Sequence, residues 1–106
     1  MKTDSHARKV RERLGRSPRY RAEFQKTLQQ IDLALLVREM RDGAGWTQRE
    51  LAKRVGTTQS VIARLEDAEY AGHSLVMLER IAAACGVSLK LRAAKEPDFE
   101  REVALV

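Results

Sequence analysis

The stretch TQRELAKRVGTTQSVIARLE, residues 47–66, constrains the fold more than any other part of the chain. It reads as two short amphipathic helices on either side of VGTT. Thr47 can cap the first helix, and Glu50, three residues later, completes a capping box. Thr57 or Thr58 can cap the second helix. Two helices this close along the chain must share a core across one tight turn.

The spacing within this stretch explains how the two helices can cross so closely. With Gln48 as the first position, the fifth is Ala52, the ninth Gly56, the fifteenth Ile62 and the eighteenth Leu65. A small residue lets two helices cross steeply, and glycine tolerates the positive φ that a sharp turn needs. The apolar positions then form a shared core: Leu51, Val55, Ile62 and Leu65. This pattern predicts a helix-turn-helix, in which the second helix enters the DNA major groove.

A longer helical pattern precedes this motif. Ser17 is a suitable N-cap, and Pro18 follows at the first helical position, where its missing N–H costs nothing. Apolar residues then recur at helical spacing and form one face: Tyr20, Phe24, Leu28, Ile31 and Leu35. The pattern continues to Arg41, and it fits either one long helix or two helices with a kink near Gln30.

The end of the chain departs from the helical pattern. Ser74 is expected to cap a helix that stops at Gly86. VSLKLRA then alternates apolar and polar residues, which predicts a strand that pairs with a symmetry mate or with a partner's sheet. We expect a mainly all-α fold: a five-helix-type helix-turn-helix DNA-binding domain with an N-terminal helical extension and a short C-terminal β-strand. The expected division is 1–33 for the basic extension, 34–86 for the helix-turn-helix domain, and 87–106 for the strand and acidic tail.

Positive charge is concentrated near the N-terminus. Residues 1–26 hold nine Lys or Arg and three Asp or Glu, whereas residues 27–106 hold eleven and twelve. A basic arm of this kind is an expected partner for nucleic-acid phosphates. The alternative for any one of these arginines is a solvated helix face.

Other functional classes find little support in the sequence. The single cysteine, Cys85, excludes an internal disulfide and fits a buried small hydrophobe. His6 and His73 lie far apart, and no zinc spacing, phosphate-binding glycine loop or nucleophile turn accompanies them. We therefore expect no enzymatic activity, no metal and no cofactor. With no membrane-length apolar run and no signal-peptide core, the expected location is cytoplasmic.

Residues 34–86 resemble the helix-turn-helix of phage repressors and of the XRE family of bacterial regulators. The resemblance rests on GWTQ, VGTTQS and LERIAAACGVS as well as the motif itself. It implies contacts to base edges from three residues: Gln59, Ser60 and Arg64. It implies contacts to phosphate or edge bases from three others: Gln48, Thr57 and Thr58. It also implies a structural salt bridge between Arg41 and Glu66.

A narrower resemblance covers nearly the whole chain. The SPRYRAEF segment, the motif, and GHSLVMLERIA with its closing strand look like HigA-type antitoxins of type II toxin–antitoxin systems. That resemblance implies a homodimer that represses its own operon and neutralises a RelE/HigB-like ribonuclease toxin. A stand-alone XRE-family regulator would look much the same. A protein-interaction module that does not read DNA is the third interpretation.

Two segments compete as the toxin-binding element. The N-terminal region offers an apolar stripe: Tyr20, Phe24, Leu28 and Ile31. The acidic tail from Glu96 to Glu102 is the better charge match for a basic toxin. We favour the stripe because it offers more apolar area. The alternative is that the stripe only packs onto the protein's own core.

Overall fold

The computed structural model describes residues 8, 9 and 17–106. Within residues 17–106 the chain forms four helices and then a two-stranded hairpin. The elements are α1 (Pro18–Ala44), α2 (Gln48–Val55), α3 (Gln59–Leu65), α4 (Leu75–Cys85), β1 (Lys90–Lys95) and β2 (Phe99–Ala104). Most of the basic arm before Ser17, including His6, lies outside the described residues.

The helix α1 is continuous, so residues 17–42 contain one helix rather than two. The Ser17 side chain accepts a hydrogen bond from the Tyr20 N–H at its start, and Gly45, with a φ of 75°, ends it. No proline or glycine lies between Arg19 and Asp42 to interrupt the backbone ladder. The extension and the first helix of the domain are therefore the same element. For this reason the expected five-helix count is not matched within residues 17–106, which contain four helices.

The hydrophobic core lies where the four helices meet. Leu51, Ile62 and Ile81 are fully excluded from solvent, and each contributes about 2 kcal/mol by its burial. The remaining buried positions come from every helix: Ala34, Val37, Met40, Ala52, Val55, Leu65, Leu78 and Ala82. The core therefore holds α2 and α3 against a platform made by α1 and α4.

The C-terminal segment is a hairpin rather than a lone strand. β1 pairs antiparallel with β2, with Leu91 opposite Val103. The expectation that the strand needs a second strand from another chain is wrong, because the acidic tail supplies it. Glu100 and Glu102 lie two residues apart and so share one face, where they pair with basic side chains of β1. This alternation is a strand pattern, which the expectation of an acidic tail did not include.

No helix in the described part of the chain is long and apolar enough to cross a membrane.

Candidate nucleic-acid interface

The turn between α2 and α3 is built around Gly56. This residue adopts the left-handed conformation with a φ of 84°, which a side chain would strain. Its N–H and that of Thr57 both donate to the Ala52 carbonyl at 2.9 Å. Thr58 then caps α3, because its Oγ1 accepts a hydrogen bond from the Val61 N–H at 3.3 Å. Three residues thus end one helix and begin the next.

The packing of α3 determines which of its residues face outward. Ile62 and Leu65 are buried against α2 and the platform. At about 100° per residue, the opposite face of the helix carries the remaining polar positions. All of these are exposed: Gln59, Ser60 and Arg64. The three residues predicted to touch base edges therefore share one solvent-facing surface.

A concave surface joins the starts of α2 and α3. It is a depression of about 420 Å³ lined by Arg41, Thr47, Gln48, Arg49 and Gln59. Gln48 and Gln59, which are eleven residues apart in the sequence, meet here. Arg49 is exposed here and has no ion pair within residues 17–106, whereas Arg41 is paired with Glu66. The positive charge that would attract a negatively charged ligand therefore comes from Arg49. Thr57 and Thr58 lie at the turn beside the start of α3.

An ion pair supports the depression from beneath. The Arg41 guanidinium donates two hydrogen bonds to the Glu66 carboxylate, from Nε at 2.7 Å and from a terminal nitrogen at 2.9 Å. Its other terminal nitrogen donates to the Trp46 carbonyl at 2.9 Å. The side chains are only 14% and 6% exposed. The hydrogen bonds to Glu66 raise the pKa of Arg41, and burial opposes this in part. The pair ties the end of α1 to the end of α3.

Gln48 is oriented by the same pair. Its Nε2 lies 3.3 Å from Glu66 Oε1. A carboxylate only accepts hydrogen bonds, so the amide nitrogen of Gln48 must face Glu66 and cannot be exchanged with the oxygen. Half-buried Gln48 thereby presents its amide to the depression in one defined orientation.

Two further contacts hold the motif, and sequence patterns within residues 47–66 do not indicate them. Arg80 in α4 donates to the Val55 carbonyl at the end of α2, at 2.5 Å. His73 Nε2 lies 2.6 Å from the Leu65 carbonyl at the end of α3. Both residues follow the motif in the chain, so no periodicity within 47–66 could indicate them. A cation such as Arg80 stabilises the C-terminus of a helix. That Arg80 lies at the end of α2 is known only from the fold.

Trp46 and His73 both lie at the edge of the core. Trp46 packs partly buried against the core, and the Arg54 guanidinium lies 4.1 Å from the centre of its ring. His73 packs edge-on against Tyr70, with ring centres 5.6 Å apart. Ser74, next to His73, caps α4 by accepting from the Met77 N–H. These contacts are structural, and they involve no nucleophile arrangement.

The candidate toxin-binding stripe lies elsewhere on the molecule. Phe24 and Leu28 are 50% and 38% exposed, whereas Tyr20 and Ile31 are half-buried. The rings of Tyr20 and Phe24 stack with their centres 6.2 Å apart. None of these residues packs against the core cluster within the described part of the chain. The structure therefore keeps the stripe apart from the helix-turn-helix.

Two of the four acidic residues in the tail form ion pairs within its own hairpin. Glu100 Oε1 lies 2.8 Å from Arg92 Nε, and Glu102 Oε1 lies 3.4 Å from Lys90 Nζ. No group of three or more His, Cys, Asp or Glu residues that could hold a metal ion occurs in the described ranges. The helix-turn-helix surface is therefore the site with the most developed geometry for a ligand.

Comparison with known proteins agrees with this architecture. The family model described as a helix-turn-helix domain matches residues 32–94. A protein of Methanothermobacter thermautotrophicus, described as an uncharacterized HTH-type transcriptional regulator, is 49% identical over 51 residues. That match covers 48% of this chain and 72% of the archaeal protein. No solved structure matches the chain significantly. Because the family model covers more than half of its residues, the chain belongs to the helix-turn-helix domain family.

Proposed function

We propose that this protein is a transcriptional regulator that binds double-stranded DNA sequence-specifically through α3. The observation that carries the proposal is the outward face of α3, where Gln59, Ser60 and Arg64 are exposed beside the depression at Gln48. Glutamine can form two hydrogen bonds with adenine, and arginine can form two with guanine. The description of the archaeal relative as a transcriptional regulator supports the same function.

The mechanism separates residues that position the protein from residues that read bases. In a helix-turn-helix complex, the second helix of the motif lies in the major groove and its first residues contact base edges. Gln59, Ser60 and Arg64 take this role. The Thr58 hydroxyl uses its oxygen to cap α3, so its proton remains free to donate to a phosphate. We assign the same role to Thr57 and to the second N–H of Gln48.

The charge distribution supports a large electrostatic contribution to binding. The chain carries a formal net charge of +5, and the segment 1–26 carries all of the excess. Neutralising phosphates releases counterions, so the affinity should fall steeply with salt. This contribution does not depend on sequence. It strengthens binding to every DNA, and specificity remains with α3.

Sequence specificity at useful affinity requires two copies. A single α3 reaches only a few base pairs, so we expect a dimer on a palindromic operator. Its half-sites would be about one helical turn (~10 bp), or a multiple of that distance, apart. A regulator bound in this way at its own promoter would act as a repressor.

A selection from random double-stranded DNA tests the proposed function. The full-length protein, immobilised at ~150 mM salt, should enrich one palindromic motif over successive rounds. Arg64→Ala should relax the preference at one position of each half-site. Recovery of DNA with no common motif would contradict the proposal.

A narrower proposal is that the regulator is also the antitoxin of a HigBA/RelBE-like pair. It rests on the resemblance to HigA-type antitoxins and on the exposed apolar surface that the helix-turn-helix fold does not use. The test is co-expression with the neighbouring reading frame, followed by copurification and a growth assay. Copurification with restored growth would support the antitoxin. A neighbour that neither binds nor inhibits growth would leave a stand-alone regulator. If this protein copurifies with the neighbour but shows no preference among DNA sequences, the interaction-module interpretation is favoured.

A further inference from the structure

The apolar stripe of α1 faces away from the protein's own core. Val37 and Met40 on this helix are buried, whereas Leu35 is 48% exposed. Two positions along a helix rotate the side chain by about 200°, so Leu35 and Val37 lie on nearly opposite faces. Phe24, Leu28 and Ile31 share the face of Leu35. This helix therefore carries a second apolar face that does not pack against the core formed by residues 17–106.

The apolar residues of this face follow the same spacing whether the helix is followed from its N-terminus or from its C-terminus. Phe24, Leu28, Ile31 and Leu35 are separated by four, three and four residues. When two copies of α1 lie antiparallel about a point between residues 29 and 30, Phe24 comes opposite Leu35 of the other copy. Leu28 then comes opposite Ile31, so all four positions meet apolar side chains. A partner with an unrelated sequence would not require this symmetry.

The charges beside the stripe fit the same arrangement. Arg21 and Glu39 lie 18 residues apart, or five helical turns, so they occupy the same flank of the stripe. In an antiparallel pair related by a two-fold axis, like flanks face each other. Arg21 of one copy then meets Glu39 of the other within about one residue rise, ~1.5 Å along the axis. Within the described residues neither side chain has an ion-pair partner.

We infer that this stripe binds the same stripe of a second copy of the chain and forms an antiparallel helix pair. Its apolar core is two Phe24–Leu35 and two Leu28–Ile31 contacts, bordered by two Arg21–Glu39 ion pairs. The inference builds on the proposed function, since it supplies the two-fold axis that a palindromic operator requires. It also assigns to self-association the surface first expected to bind a toxin.

Sedimentation equilibrium of the full-length protein without DNA tests the interface. The wild type should have twice the 12.0 kDa mass of the chain. Leu28→Asp puts two charges at the centre of the pair and should give the single-chain mass. The matched control is Val76→Asp, at a 65% exposed position on α4, which should remain dimeric. Circular dichroism of each variant checks that α1 is still folded.

A charge exchange provides an independent readout that does not depend on the apolar substitution. Arg21→Glu and Glu39→Arg should each weaken the dimer about tenfold, because each turns two symmetry-related attractions into repulsions. The double variant should recover the wild-type affinity. Failure of the double variant to recover would contradict the antiparallel pair.

Other results would overturn the assignment. A monomeric wild type at ~100 μM would remove it, since a functional dimer should persist there. A Leu28→Asp variant that stays dimeric would place the interface elsewhere. A monomeric wild type whose binding to a co-expressed toxin is lost in Leu28→Asp would give the stripe to the toxin. A dimer that shows no motif in the DNA selection would leave this interface intact and remove only the proposed function.

Discussion

Arg41 and Glu66 lie 25 residues apart in the chain and form an ion pair with two hydrogen bonds, of 2.7 Å and 2.9 Å. Glu66 also accepts a hydrogen bond from Gln48. One carboxylate therefore connects the platform helix α1, the start of α2 and the end of α3. The stability of the fold and the orientation of a candidate DNA contact depend on the same group.

Removal of Arg41 should be costly because it strands a buried charge. Arg41→Met leaves the Glu66 carboxylate, whose side chain is 6% exposed, without its main donors. We expect the free energy of unfolding to fall by about 3 kcal/mol, measured by urea denaturation at pH 7. The double variant Arg41→Met, Glu66→Met should cost less than the single one. A loss within 0.5 kcal/mol, roughly the range of ordinary surface substitutions, would show that the pair is unimportant.

The pH dependence of this pair follows from the direction of the shift. The hydrogen bonds to Glu66 raise the pKa of Arg41 in the folded protein. Its contribution to stability is thus fully present below the ordinary arginine pKa and is lost only as pH rises through the raised value. The difference in unfolding free energy between Arg41→Met and the wild type should not decline between pH 7 and pH 9. A decline over that interval would contradict this account.

Two α3 residues should control base preference. Gln59→Ala and Arg64→Ala should each reduce discrimination by about 1–3 kcal/mol at one base pair of each half-site. Titration of operator variants that differ at single positions measures this. Arg92→Ala on the hairpin is the control, because it also removes one exposed arginine but leaves α3 unchanged. Equal weakening of Arg64→Ala on all sequences would show a phosphate contact only.

Arg80 should stabilise the turn of the motif from outside it. Arg80→Met keeps much of the side chain's apolar stem but removes the donor to the Val55 carbonyl. We expect a loss of about 1 kcal/mol in unfolding free energy, because the residue is exposed and solvent can replace part of the bond. Arg92→Met is the matched control. No difference between the two variants would show that the Arg80 bond contributes nothing.

Cys85 should react slowly while the protein is folded. Burial raises the pKa of its thiol, so less of the nucleophilic thiolate is present at a given pH. Alkylation at pH 8 should be slower in native buffer than in urea. Because the folded pKa is the higher one, stability should fall as pH rises from the ordinary thiol pKa through the raised value. Equal alkylation rates with and without urea would contradict this prediction.

The sequence predicted best those features of the fold that depend on local residue spacing. Gly56 and Ala52 could be assigned because turn geometry and helix crossing demand particular residue types within 20 positions. The cap of α3 was narrowed to Thr57 or Thr58, and the structure shows Thr58. The contacts of Arg80 and His73 could not be assigned, because they join residues whose proximity depends on the packing of α4. No proline or glycine between Arg19 and Asp42 predicts a helix break. The sequence still fitted one helix or two, and only the structure shows that α1 is continuous.

The hairpin shows a different limit of sequence interpretation. The expectation of an acidic tail rests on the charge of residues 96–102 and does not use their two-residue alternation, which is a strand pattern. Glu100 and Glu102 share one face of β2, where they form ion pairs with Arg92 and Lys90 diagonally across the hairpin. Cross-strand pairing depends on the register between two strands. The sequence of one strand does not show which residues of the other strand lie opposite it.

A competition titration by fluorescence anisotropy tests the central claim most directly. A labelled duplex that carries the selected palindrome is bound by the full-length protein at ~150 mM salt, near the physiological ionic strength. Unlabelled palindrome or a scrambled duplex of equal composition then competes. We predict that the palindrome competes at least about a thousandfold better than the scrambled duplex, as for specific regulators. We also predict that Gln59→Ala, Arg64→Ala together remove most of this difference. Equal competition by the two duplexes with the wild-type protein would contradict sequence-specific reading by α3.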